Sequence, residues 1–405
     1  MKTPRDDSDK PRVEPRGPAC YENWRAAIDG RPSQGAYEWP LLSDGAINRW
    51  KLGHPGRETD GPYTFILWMK PEVPQYGLAR PAIVLRVELH LETESRAVRL
   101  QRMQRTDDRL YHGGSLEEEV AALLSLSLAI RLKAGGMWRS FNLHGDPRGS
   151  PYDAPNPALQ SNPAGQIIPR ASEARSLQDA PLLDSLPSLG PDGATALIRA
   201  ARLYQDAMWI AESQPALSWL MFASAVETAA NYWRSSEETP RQRLQSSNRG
   251  LELDELLVTV GGEPHAEKVA EMIADSLGST KKFKDFIVHF PPAEPPKRPN
   301  NGKLPWDTEN LRKSLTKIYG HRSHALHSGI PFPWPMCMPP MPSGNGVPVE
   351  IPEGEAIMMM GGSWQKEDLP MHLHTFEYIV QGALCKWWKD MVERRRDTAG
   401  GGCAT

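Results

Sequence analysis

The stretch "NLHGDPRGSPYDAPNPALQSNPAGQ", beginning at Asn142, limits what this chain can fold into more than any other. Proline removes a backbone donor and fixes φ, while glycine and asparagine favour turns, so neither a helix nor a strand can run through it. Similar composition continues to about residue 190, and regular structure must lie on either side. The 405 residues are enough for two cores. Residues 146–190 therefore read as a Pro/Gly-rich linker between an α+β domain over 36–145 and an all-α helical domain over 191–396.

On the N-terminal side, residues 1–35 are polar and Pro-rich and are expected to be a disordered arm. "YTFILWM" from Tyr63 is a short aromatic and β-branched run. "LRVELHLE" alternates strictly, with Leu85, Val87, Leu89 and Leu91 on one face and Arg86, Glu88, His90 and Glu92 on the other, which is a strand with one wet face. "AVRLQ" (Ala97 to Gln101) reads as its neighbour. Ser115 and Glu118 then form a capping box for a helix through "EEEVAALLSLSLAIRLK", with Gly135 as its stop. That helix is apolar nearly all round and is expected to be buried.

On the C-terminal side, "ATALIRAARLYQDAMWIAES" and "ALSWLMFASAVETAANYW" are helices separated by Pro215. Further short helices follow at "LDELLVTV", "EKVAEMIADSL" and "KKFKDFIVHF". Asp307 or Thr308 caps "ENLRKSLTKIYGHRSHALHSG", which Gly329 ends. A Pro-rich loop spans 331–364, a last helix starts at "HTFEYIVQGALCKWW", and 397–405 reads as a disordered tail.

Bulk composition excludes several classes. A net charge of −3 gives no global basic field, so any nucleic-acid surface must be local. Cys20, Cys337, Cys385 and Cys403 have no regular spacing, which argues against a disulfide framework or zinc ribbon and for a reducing compartment. The first residues lack an apolar core segment, and the most apolar stretch, from Val120, is interrupted by Arg131. Neither a signal peptide nor a membrane span is expected, which points to the cytoplasm.

The chemistry concentrates in "IYGHRSHALHSG". Arg322 and His327 pair a guanidinium that can grip phosphate oxygens with an imidazole that titrates near neutral pH. Five residues apart on a helix, they point about 140° apart with a rise of about 7.5 Å, so they do not share a face. His324 sits beside His327 at the three-residue spacing. His321, His324 and His327 drift around the helix with no carboxylate between them, so no metal or other cofactor is expected. Glu227, the lone acid of an apolar helix, is placed to anchor Arg322. The plainer reading is that these cations only meet the negative end of a helix dipole.

The C-terminal half resembles the HEPN superfamily, and specifically its Apea-like domains from bacterial proteins. The resemblance rests on "IYGHRSHALHSG" with its Tyr319, Arg322-Ser323 and His327, on "WLMFASAVETAANYW" with Glu227 in the Ala-x-Glu element, and on the closing helix. It covers roughly residues 193–395, about half the chain. It implies a metal-free endoribonuclease acting as a homodimer, with Arg322 polarising the scissile phosphate and His327 as general base or acid. It also implies 2′,3′-cyclic phosphate and 5′-OH ends, and a toxin-like role in anti-phage abortive infection against host RNA, tRNA among the candidates. The N-terminal domain would sense a phage-derived trigger or regulatory partner. Ser323 is usual for Apea-like domains but departs from the Asn or Asp of other branches, and the 331–364 loop is long. Lys386, Trp387 and Lys389 suggest an additional RNA contact through base stacking and phosphate pairing. The competing expectation is a catalytically silent domain that binds nucleotides or partners or serves dimerisation.

Overall fold

The computed structural model describes residues 17–47, 61–67, 75–91, 106, 108–142, 145–234, 239–245, 248–273, 279–354 and 356–400. The strand expected at "AVRLQ" lies outside them. Helix α1 (Ala19–Ile28) precedes an antiparallel sheet of β1 (Ala36–Ser43), β2 (Tyr63–Leu67), β3 (Arg80–Glu88), β4 (Lys133–Ala134), β5 (Arg139–Phe141) and β6 (Ser150–Pro151). Its order is β2-β3-β1-β5-β6, with β4 beside β1. Phe65 pairs with Leu85 and Trp39 also faces Leu85 across β3. The alternation read in β3 is present: Leu85 and Val87 are buried, while Glu88 is exposed.

The remainder is mostly helical. α2 (Leu116–Leu128) is followed by an antiparallel pair, α3 (Pro191–Ile210) and α4 (Pro215–Arg234). Next come α5 (Pro240–Leu244), α6 (Asn248–Ile273), α7 (Ser279–His289), α8 (Thr308–His327) and α9 (Leu373–Gly400). α4 packs against α3, α7, α8 and α9, while α5 and α6 pack on each other. α6 is broken at Gly262, whose φ of 74° and ψ of 178° are non-helical, with Pro264 close behind, so two helices are present where two were expected. No helix among the described residues is long and apolar enough to cross a membrane.

Several expectations need correction. The arm read over 1–35 contains α1, which buries Cys20, Tyr21 and Trp24. Its first amides are satisfied from a distance: Ala19 and Cys20 donate to the buried Glu119 carboxylate at 3.1 and 2.6 Å. The segment 146–190 is not a free linker. It sends Ile167, Ile168, Ala171, Leu183 and Leu186 into the same buried cluster that holds residues of the sheet and of α9. The helix begun by the Ser115–Glu118 capping box stops before Gly135, at Leu128, where Ala129 takes left-handed backbone with φ 52°. The early stop lets Arg131 turn inward, where it is fully buried.

That arginine is the centre of a sealed polar cluster. Arg131 Nη1 donates to Asp44 Oδ2 at 2.6 Å, Nη2 to Glu212 Oε1, and Nε to the Met208 carbonyl at 3.2 Å. Glu212 also accepts from Ile167 N at 2.8 Å and from Tyr76 Oη at 2.9 Å. The cluster thus joins the end of β1, the end of α3 and the 146–190 segment. A second cluster joins that segment to α9: Arg170 donates to both oxygens of Glu377 at 2.5 and 2.7 Å, and Tyr204 Oη donates to the same carboxylate.

The 331–364 loop is also anchored. Phe332 and Phe376 stack on Trp219 with ring centroids 5.1 and 4.8 Å away, and Met336 and Cys337 are buried. The "AIMMMGG" run becomes a hairpin of β7 (Ala356–Met359) and β8 (Gly362–Gln365). Its turn uses Met360 at φ 51° and Gly361 at φ 79°, the positive pair that matches strand twist. α9 continues through Gly400, so 397–400 are helical where a disordered tail was expected.

Candidate functional site

Three helices bring the candidate residues together. α4 presents Glu227 and Asn231 one turn apart, α8 presents Tyr319 and Arg322 three apart, and α7 adds Lys282 and Phe283. α8 starts where Asp307 accepts a hydrogen bond from Asn310 N at 3.0 Å. It ends where the amides of Ser328 and Ile330 donate to the His324 carbonyl at 2.9 and 3.3 Å, a closure that uses Gly329 at φ 67°. Leu311, Leu315, Ile318 and Tyr319 form one buried stripe at i, i+4, i+7 and i+8, and Arg322 continues it one turn further on. The resulting amphipathic placement turns Tyr319 and Arg322 towards α4.

The six residues line a cleft of about 190 Å³. Arg322 Nη2 donates to Glu227 Oε2 at 2.6 Å, and Tyr319 Oη donates to Glu227 Oε1 at 2.9 Å. The Arg322 guanidinium lies 5.4 Å from the centre of the Tyr319 ring. Side chains of Arg322 and Glu227 are 18% and 17% exposed, so the pair is shielded but still reaches solvent. Arg322 Nε is buried with no hydrogen-bond partner. Lys282 is almost fully buried and its Nζ lies 3.3 Å from Asn231 Oδ1. Such a lining supplies N–H donors and one carboxylate: it can hold an anion next to a fixed guanidinium.

Glu227, Tyr319 and Arg322 are therefore brought together as the spacing suggested. His327 and His324 are not part of the cleft lining; both are exposed near the C-terminal end of α8. Ser323 is half-buried and likewise does not line it. His321 turns to the other side, with Nε2 2.9 Å from the Asp368 carbonyl and its ring 6.0 Å from Phe332. Burial lowers its pKa below the ordinary histidine value. Among the described residues no group of three or more His, Cys, Asp or Glu is placed to hold a metal ion.

The additional RNA contact needs correction. Trp387 and Trp388 are 1% and 0% exposed, and Trp387 packs edge-on against Tyr232 and Phe286, so neither offers a face to a base. Lys386 donates to the Pro291 carbonyl, and Lys389 is exposed on the outer side of α9. The periodicity of α9 alone does not separate these faces, because its buried stripe is wide enough to take both tryptophans.

Lys282 and Asn231 are the cleft residues that the sequence reading did not single out. Asn231 had a legible signal, since it follows Glu227 by four residues on the same helix. Lys282 had none: it is one of three lysines in "KKFKDF", and only packing selects it. Comparison with protein-family models, with curated proteins and with solved structures yields no match for the chain.

Proposed function

We propose that the chain is a metal-independent endoribonuclease of the HEPN type, acting as a homodimer on host RNA in anti-phage defence. The observation that carries this reading is the Arg322 guanidinium, oriented by Glu227 in an open cleft beside Tyr319 and Lys282 instead of being sealed. A guanidinium held in place before substrate arrives costs little reorganisation when charge develops on a phosphate. The ribose 2′-OH would attack the adjacent phosphorus and give its proton to an imidazole. The 5′-oxygen would leave with a proton, producing a 2′,3′-cyclic phosphate and a 5′-OH.

His327 is the imidazole in this scheme, and its place outside the cleft of its own chain supports a composite site to which a second copy contributes. Tyr319 and Glu227 are positioning residues for Arg322, and His324 flanks His327. The N-terminal sheet region is the place for a regulatory partner or phage-derived trigger.

A second reading has its own support. Glu227 already neutralises Arg322 at 2.6 Å, as it would in a catalytically silent domain used for nucleotide binding or dimerisation. Expression of wild type, Arg322→Ala and His327→Ala in a bacterial host, with and without phage, separates the two. The nuclease reading expects cyclic-phosphate RNA ends and phage protection or toxicity from wild type alone. Arg322→Ala is expected to lower cutting by about 100-fold or more. Identical behaviour of three folded proteins overturns that reading and favours the silent module.

A further inference from the structure

RNA cleavage in this cleft needs two proton transfers, one from the attacking 2′-OH and one to the departing 5′-oxygen. His327 is exposed on α8, about 7.5 Å along the helix from Arg322 and about 140° around it, and does not line the cleft of its own chain. Glu227 does line it. Its carboxylate accepts one hydrogen bond at each oxygen, from Tyr319 Oη at 2.9 Å and from Arg322 Nη2 at 2.6 Å. A carboxylate oxygen can accept two, so each keeps an unused lone pair. The side chain keeps 17% of its surface exposed, so a hydroxyl that enters the cleft can reach it. Two donors from one helix also hold the carboxylate in a single orientation, as a proton acceptor needs.

Arg322 supplies the other half of the geometry. Its hydrogen bond to Glu227 uses Nη2, which leaves Nη1 for a phosphate oxygen. The guanidinium is planar and rigid, so a phosphodiester gripped there lies beside the carboxylate, with the 2′-OH of the same linkage next to it. A cation touching both anions offsets their repulsion. We infer that Glu227 is the general base of this cleft. It takes the 2′-OH proton as the 2′-O–P bond forms and the P–O5′ bond breaks. The imidazole of His327, brought by a second copy, gives its proton to the 5′-oxygen. Solvent then removes the proton from Glu227 and restores that of His327. This role rests on the nuclease reading and moves one step of it, the first proton transfer, from His327 to Glu227.

The test compares two substrates on the full chain. One is an unmodified RNA, whose 5′-oxygen must be protonated as it leaves. The other is the same RNA with sulfur in place of that oxygen at the cut linkage, because a thiolate leaves without a proton. Glu227→Gln keeps an acceptor for Arg322 and Tyr319 but takes no proton. It should lower kcat by about 100-fold or more on both substrates. Its binding of an uncleavable 2′-O-methyl RNA should stay within about threefold of wild type. His327→Ala should lose a similar factor on RNA and recover most of it on the sulfur substrate. The assignment falls if Glu227→Gln cuts RNA as wild type does, if sulfur restores Glu227→Gln, or if sulfur fails to restore His327→Ala. Weakened binding of the 2′-O-methyl RNA by folded Glu227→Gln also overturns it and leaves Glu227 a positioning residue. Failure of wild type to cut RNA overturns the nuclease reading and this role together. Cutting by wild type with an unimpaired Glu227→Gln overturns this role alone.

Discussion

Arg131 and Arg322 each pair with a glutamate on the α3–α4 hairpin segment, yet they sit in opposite kinds of surroundings. Arg131 is fully buried, with its three nitrogens directed to Asp44, Glu212 and the Met208 carbonyl. Arg322 keeps 18% of its side chain exposed, has one carboxylate partner and leaves Nε without an acceptor. In the first cluster every Arg131 nitrogen is bonded and shut off from solvent, although Asp44 Oδ1 has no hydrogen-bond partner. The second is incomplete and opens on a cleft. Pairing with a carboxylate therefore says little about the role of a buried arginine; the state of its remaining donors and its access to solvent say more.

The comparison is sharpest in stability. Arg131→Met leaves Asp44 and Glu212 buried without their cation and should cost about 3–5 kcal/mol in urea unfolding. A loss below about 1 kcal/mol would mean that the Ile167 and Ile168 amides and Tyr76 alone satisfy Glu212, and the sealed cluster would no longer contrast with the open one.

Histidines extend the contrast. His327 is exposed, whereas His372, at the base of α9, is buried, and burial with His374 nearby pushes its pKa down to about 3. The folded state then binds fewer protons than the unfolded chain, whose histidine titrates near 6.5. Stability is complete above that pH and is lost as pH falls from about 6.5 towards 3. The expected loss from this group is about 2 kcal/mol by pH 5. His372→Gln should flatten the slope between pH 6.5 and 5, read from unfolding midpoints. A slope equal to that of wild type would break the distinction.

Smaller effects complete the series. Arg322→Met should cost less than about 1 kcal/mol of stability, because its ion pair is partly solvated and single. A cost near that of Arg131→Met would place Arg322 among structural groups. Lys389→Ala, on the exposed side of α9, should change stability by no more than about 0.5 kcal/mol and leave RNA binding unaltered. Weaker binding would restore an RNA contact on α9.

What could be read in advance was local. The capping box at Ser115 and Glu118, the alternation through Leu85 and Val87, and the Asp307 cap each depend on neighbours within a few residues. The Glu227–Arg322 contact was accessible because Glu227 is the lone acid of an apolar helix and needs a cationic partner. What stayed hidden was non-local. The amides that begin α1 are held by Glu119, about a hundred residues on, and nothing near Pro18 signals that. A Pro/Gly-rich segment has the same composition whether it hangs free or wraps a core, so the burial of Ile167 and Ile168 had no local mark. Lys282 shares this problem, since one lysine among three is chosen only by the approach of α4 and α8.

The link between Arg170 and Glu377 also bears on synthesis. These residues are 207 positions apart, and Phe376 beside Glu377 completes the stack on Trp219. On a ribosome adding about 5–20 residues per second, the chain spends many seconds with Arg170, Tyr204 and Trp219 made but their α9 partners not yet present. Through that interval the helical pair α3–α4 exposes apolar surface that only α9 can cover. The nascent chain is thus held short of its final structure until the helix beginning at Leu373 emerges, and any nuclease site built on α4 and α8 is completed only after α9 has been made.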